Sequence, residues 1–403
     1  MRIVLANKFL YPRGGAERAV LELGAALDAR GHAVAYFGMD HPENVVHGAN
    51  VAVVRQRDYR RPGAAAVRDA AAMLYSFEAR RTFGTFLDRV HPDVVHLHNI
   101  YHQLTPSILD AARERGIPLV MTLHDYKLVC PRYDMLRHGM RCDACVEAGP
   151  VACVRYRCAG GAWGASVLLA AEAALHRIRG SYDAVHRFIV PSRFLGRVLE
   201  RAGFDAARLR HIPNFAPRAN PVPVPSTQRF LYVGRLSQEK GILSLLRAAA
   251  RMTRGELVLC GTGPLAAEVE RWTREAPPGR VRCRGHLAAA ELAVEVGAAA
   301  FVVAPSEWFE NAPFAVLEAM AAGRAVLTTP LGGLPELIED GVEGELVPPG
   351  DEVAWAAAME RALQDPERMR RMGAAAHRRA IESFALETHV ERIESVYAEA
   401  CAT

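Results

Sequence analysis

The chain has 403 residues, half of them hydrophobic and 23% charged, which excludes a disordered protein and leaves room for two or three domains. No apolar run reaches the roughly 18 residues of a bilayer crossing; the best, GGAWGASVLLAAEAAL, is interrupted by Glu172. The net charge of +4 conceals an asymmetry, because residues 1–215 hold 29 basic against 20 acidic side chains and the remainder 20 against 25.

The first predicted element is a buried strand, RIVLAN, running into NKFLYPRGGAERAV. No cleavage pattern follows an apolar h-region here, so a cytoplasmic location is expected. Gly14 and Gly15 precede a helix expected to begin near Ala16. Paired glycines let backbone N–H groups approach an anion, and a helix N-terminus adds partial positive charge. A tight strand-to-helix turn can also need glycine for positive φ alone. The spacing is neither G-x-G-x-x-G nor a P-loop.

Helix AERAVLELGAALDARG and strand HAVAYFG follow, then strands in PDVVHLHN, IPLVMTLHD and HRFIVPS. Continuous apolar strands spaced by helices indicate a parallel sheet covered on both faces. The densest basic run, RQRDYRRP at 55–62, lacks an interleaved aromatic platform or nucleic-acid motif, so nucleic acid is not expected as a partner. A basic first half suits an anionic membrane surface or a phosphorylated partner, as well as a plain solvated surface. Residues 1–215 form the first expected domain, and the proline-rich APRANPVPVPSTQ, 216–228, the linker.

The alternation restarts with RFLYVGR, a helix near 241–252, ELVLCGTG, VRCRG, AAFVVAPS and AVLTTP. The fold class is therefore α/β, with a second doubly wound domain at 229–383. The last helical stretch, 384–403, fits neither alternation and is placed back across the first domain.

Ligands bind open α/β sheets beyond the carboxyl ends of strands, and chemistry-bearing residues fall there. Only three lysines occur, Lys8, Lys127 and Lys240, in a chain rich in arginine. A rare lysine suits a place that needs a compact point charge. Arg235 and Lys240 flank the loop after RFLYV, a design for a diphosphate, with a solvated bridge to Glu239 as the ordinary alternative. Gly261 and Gly263, and then Gly285 and His286, follow later strands.

In SEWFENAPFAVLEAMAAG, Pro313 is expected at the first position of a helix over 313–322 that ends at Gly323. Glu310 then lies in the loop and Glu318 in the second turn. Carboxyls of a glycosidase sit roughly 5–9.5 Å apart; this arrangement better suits two grips on one extended ligand. A carboxylate in so apolar a helix needs a partner, such as a ribose hydroxyl pair or an arginine.

Cys130 is followed by Cys142, Cys145, Cys153 and Cys158. The last four, spaced C-x2-C-x7-C-x4-C, suit a tetrahedral structural zinc that pins the excursion at 131–163. Free thiols are the alternative, and disulfides are disfavoured in a cytoplasm.

Glu310-x7-Glu318, the following AMAAGRAVLTTPLGGLPELI, GRLSQEKG, GGAE, and the VPS and IPN segments at 190–192 and 212–214 resemble the retaining glycosyltransferases of family 4 across the whole chain. The resemblance implies the GT-B architecture, two facing Rossmann-like domains with an interdomain cleft. It implies an acceptor in the first domain and a nucleotide diphosphate sugar, UDP- or GDP-linked, in the second. Arg235 and Lys240 would hold the diphosphate, approached from the other side by Gly14 and Gly15. Glu318 would hold the ribose. Glu310 and His124 would lie beside the donor sugar, with the backbone amides of Asn311, Ala312, Phe314 and Ala315 nearby. Catalysis would need no metal or other cofactor. The implied acceptor is a polysaccharide or lipid-linked intermediate at the inner membrane face, or alternatively a soluble natural product. A GT-B epimerase and a non-catalytic sugar-nucleotide binder share the fold. The family's glycine-rich E-G-F-G is ENAPF here, which bears on donor choice.

Overall fold

The computed structural model describes residues 1–57 and 64–402. The basic run at 55–62 lies outside the described residues from position 58 onward. The chain divides into two compact units, one of Met1–His138, Cys142–Ile212 and the residues from Val390 on, the other of Gly139–Arg141 and Pro213–His389.

The first unit is built on seven strands: β1 (Arg2–Ala6), β2 (Ala33–Met39), β3 (Val51–Val54), β4 (Val94–Leu97), β5 (Leu119–Thr122), β6 (Arg187–Val190) and β7 (Leu209–His211). They are parallel, in the order β3-β2-β1-β4-β5-β6-β7. The second unit has β8 (Arg229–Val233), β9 (Glu256–Cys260), β10 (Val281–Gly285), β11 (Phe301–Ala304), β12 (Ala325–Thr328) and β13 (Gly344–Leu346), parallel in the order β10-β9-β8-β11-β12-β13. Each sheet reverses its strand order between its first and fourth strands, which creates a crevice at their carboxyl ends.

The central strands are buried on both faces, as their unbroken apolar runs require; Ile3 to Ala6 and Leu257 to Leu259 are inaccessible to solvent. The strands missing from the sequence reading, β3, β7 and β13, all lie at sheet edges. There one side of the ladder is open, and LRH and GEL carry no apolar run to betray them.

Two local expectations change. Pro313 is not inside the helix: it is the N-cap, with extended backbone (φ −71°, ψ 127°), and the helix runs Phe314–Ala321. Gly323 does close it, at φ +71°. The run GGAWGASVLLAAEAAL becomes helix Trp163–Ile178, and Glu172 within it is buried. Its carboxylate accepts from Lys127 Nζ at 2.6 Å, and Pro131 O accepts from the same ammonium at 2.9 Å, which supplies the partners a buried charge requires.

In the second unit, Arg324 is fully buried and donates to the carbonyls of Val296, Gly297 and Val222. This ties the proline-rich segment to the sheet's helical layer. In the first unit, helix Leu386–Cys401 contributes Tyr397, whose hydroxyl meets His96 Nδ1 at 2.7 Å, and Glu394, which takes a bidentate contact from Arg30.

Candidate active site

In the second unit, the loops after β8 and β11 meet at the strand-order switch point. Lys240 follows β8 and Glu310 follows β11, and Lys240 Nζ lies 2.6 Å from Glu310 Oε1. The same oxygen accepts from Ser306 Oγ at 2.5 Å, while Ser306 O accepts from Thr329 Oγ1. Glu310 is 5% exposed. Burial disfavours its charge, but Lys240, by charge and hydrogen bond, and then Ser306 more than offset this and hold the carboxyl below its ordinary range. Lys240 also lies 5.1 Å from the centre of the Trp308 ring.

Glycines allow this approach. A side chain on Gly241 would place its Cβ 1.9 Å from Pro305 O, and one on Gly332 would stand 2.1 Å from Glu310 O. Both have positive φ, +72° and +64°. The Lys240 finding revises the expected alternative: its partner is Glu310, not Glu239, whose carboxylate accepts from Ser237 Oγ instead.

Arg235 is exposed and makes no ion pair among the described residues. Gly261 and Gly263 are used to pack loop on loop: Cβ atoms there would meet Gly234 O at 1.8 Å and Leu236 O at 2.4 Å. Gly285 has φ +65°, and His286 beyond it is exposed. Asn311, Ala312 and Phe314 are buried, and Ala315 and Glu318 are half-buried. Ala312 O accepts from Asn214 Nδ2, and Phe314 packs edge-on to Phe215.

In the first unit, Gly14 is extended (φ −165°) and Gly15 opens helix Gly15–Ala29. Neither has positive φ, so the turn itself does not demand glycine. Both are exposed at the helix N-terminus. Glu17, one turn in, is buried, and burial raises its pKa. Burial likewise pulls the Lys8 ammonium down, and Asp125 and Glu17 push it back part of the way. The sequence reading overlooked Glu17, Asp125 and Ser306; the signal for each was its place just beyond a strand or inside a motif already singled out. His124 is half-buried beyond β5, with Nε2 at 2.9 Å from His98 Nδ1.

The zinc expectation is not supported. Among the described residues no group of three or more His, Cys, Asp or Glu side chains is placed to hold a metal ion. Cys130 joins the expected quartet of Cys142, Cys145, Cys153 and Cys158: it adjoins Cys145, Cys153 adjoins Cys158, and Cys130, Cys142, Cys145 and Cys158 line one small cavity. No disulfide joins them.

No helix among the described residues is long and apolar enough to cross a membrane. The family model described as Glycosyltransferase Family 4 matches residues 13–219, and that described as Glycosyl transferases group 1 matches 227–365. The sequence is 26% identical to the alpha-maltose-1-phosphate synthase of Mycobacterium tuberculosis over 92% of this chain and the whole of that one. It is 38% identical to the D-inositol 3-phosphate glycosyltransferase of Corynebacterium diphtheriae over a match spanning 43% of each chain. Among solved structures, sucrose-phosphate synthase from Thermosynechococcus elongatus aligns with a TM-score of 0.74 at 21% identity, over 100% of this chain and 99% of that one. Anabaena HepE in complex with UDP and glucose aligns at 0.68 and 18% identity, over 99% and 100%. These likenesses establish the GT-B type of fold. One model alone matches half of the chain: the protein belongs to Glycosyltransferase Family 4 and is a glycosyltransferase.

Proposed function

We propose that the protein moves a sugar from a UDP- or GDP-sugar to an acceptor hydroxyl with retention of anomeric configuration. The observation that carries this reading is the Lys240–Glu310 pair at the switch point of the second sheet. A diphosphate arriving at the carboxyl end of β8 meets an ammonium already held in place, with Arg235 as an unpaired fork beside it in sequence. These charges stabilise the leaving group as its charge grows, at no cost in reorganisation. Glu310 orients the donor sugar from the adjoining strand, and Glu318 holds the ribose. The departing phosphate oxygen takes the proton of the attacking hydroxyl on the same face of the sugar, so the C–O bond to phosphate breaks as the new glycosidic bond forms.

Residues 1–215 would hold the acceptor, with Gly14, Gly15 and His124 turned to the donor, and 229–383 the donor. The basic first half suits an acceptor that carries phosphate, in polysaccharide or glycolipid synthesis and with peripheral contact to an anionic membrane. The phosphorylated compounds in the names of two relatives are compatible with such an acceptor. Glu310→Gln tests the reading. UDP-glucose and GDP-mannose are titrated calorimetrically, and nucleotide diphosphate release is followed with and without acceptor. Donor binding within about threefold of wild type and transfer reduced about 100-fold are expected. Undiminished transfer by this variant would exclude Glu310 from the reaction.

A further inference from the structure

Strands β4 and β5 carry polar side chains with a period of two beyond their apolar runs: His96 and His98 in VVHLHN, Thr122 and His124 in VMTLHD. Adjacent parallel strands with His96 opposite Val120 put all four on one face of the sheet. They are linked. Tyr397 meets His96 Nδ1 at 2.7 Å, His96 Nε2 meets Thr122 Oγ1 at 2.7 Å, and His98 Nδ1 meets His124 Nε2 at 2.9 Å. The His96 and His98 ring centres lie 4.2 Å apart, and the His98 and His124 rings, with centres 5.2 Å apart and planes 21° from parallel, lie edge to edge across their nitrogen contact. His96, His98 and Tyr397 are at most 1% exposed.

We propose that His98 is a positioning residue, which fixes the ring orientation and the tautomer of His124 through the Nδ1–Nε2 hydrogen bond. The inference rests on the reading that His124 faces the donor sugar. Of two facing imidazole nitrogens only one can carry the hydrogen, so the bond couples the tautomer of His124 to that of a buried ring with no freedom to turn. The row behind it holds that ring: His96 is fastened at both nitrogens and packs against His98 with the ring planes tilted by 33°. His124 is thereby presented in one state before any ligand arrives, as preorganised catalysis requires.

The test is direct in the unaltered protein. On histidine-15N-labelled protein, long-range 1H–15N spectra are expected to show one tautomer for His124 and a coupling across the bond to His98. His98→Phe keeps an aromatic ring beside His96 and loses the bond; His124 should then show mixed tautomers. Turnover of UDP-glucose or GDP-mannose, whichever the wild type uses, should fall about tenfold or more in kcat with KM within about twofold. His98→Asn returns a side-chain donor and acceptor near the Nδ1 position and should recover most of that loss. A His124 spectrum unchanged in His98→Phe, or no coupling in the wild type, overturns the proposal whatever the turnover. If His124→Ala turns over normally while the spectra behave as expected, the assignment of His124 to the donor fails and the His98–His124 coupling stands. If the wild type turns over no UDP- or GDP-sugar of a panel that includes these two, the functional reading fails and the spectra still decide the coupling.

Discussion

Lys240→Met removes the ammonium that faces Glu310 and leaves a side chain of similar length. The carboxylate it abandons is 5% exposed and retains Ser306. Removing one partner of a fully buried ion pair costs about 3–5 kcal/mol, because the other charge stays desolvated. Lys240 is 23% exposed in its side chain and Ser306 remains, so about 2–3 kcal/mol is expected at pH 7. For a unit of this size that lowers the melting midpoint by about 4–12 °C. Three of the four tryptophans, Trp272, Trp308 and Trp355, lie in the second unit, so fluorescence during urea unfolding reports mainly on it. Lys240→Met/Glu310→Gln should return to within about 1 kcal/mol of wild type, giving a coupling energy near 2 kcal/mol. The pH dependence supplies a second check. The folded Glu310 carboxyl is held below its ordinary range, so its stabilisation is complete above the unfolded value and is lost as pH falls through the folded one. Without Lys240 the burial penalty is unopposed by that charge, so acidification relieves the variant and its deficit narrows toward pH 5. A penalty below about 1 kcal/mol with coupling below about 0.5 kcal/mol would refute the buried charged pair.

Burial, and then the charges of Lys127 and Lys8, lower His102 to about 3, so between about pH 6.5 and 3 the unfolded chain binds the extra proton and stability drops by up to about 1.4 kcal/mol per pH unit on acidification. His102→Asn tolerates the left-handed backbone there (φ +66°) and should flatten that slope in urea titrations at successive pH values; an unchanged slope assigns the loss to other groups. Gly332→Ala adds a Cβ 2.1 Å from Glu310 O at φ +64° and should cost on the order of 2–4 kcal/mol, with donor turnover falling too. Full activity with an unchanged midpoint would mean the Glu310 loop gives way freely. Lys127→Met strands the buried Glu172 and should cost about 3–5 kcal/mol, with Lys127→Met/Glu172→Leu recovering most of it; equal losses in both variants would point to packing rather than charge.

The central architecture was legible because doubly buried parallel strands must be unbroken apolar runs. The short edge strands β7 and β13 escaped, since an open edge asks nothing of LRH or GEL, whereas the edge strand β10 was legible in VRCRG. The candidate residues were legible as positions: Arg235, Lys240 and Glu310 stand past strand ends. Their pairing was not, because Lys240 and Glu310 are 70 residues apart and only the order β8-β11 makes them neighbours. The place of Cys130 was hidden for a related reason. Distance along the chain sets it apart from Cys142 and Cys145, whereas the fold returns it to Cys145.

The three lysines join these levels. In a chain whose other cations are arginines, Lys127 is sealed against Glu172, Lys240 against Glu310, and Lys8 sits in the field of Asp125 and Glu17. A guanidinium spreads its charge over a planar fork that asks for several acceptors in one plane, whereas each of these places lies beyond a strand end and offers one or two carboxylates. At Lys127 the ammonium and its carboxylate are both buried, the Glu172 carboxylate and the Pro131 carbonyl accept from it, and the pair braces the turn that follows β5. At Lys240 the side chain keeps 23% exposure, and under the proposed function the same device becomes a charge held ready. Rarity in composition therefore marks where the fold needs a point charge beside a carboxylate.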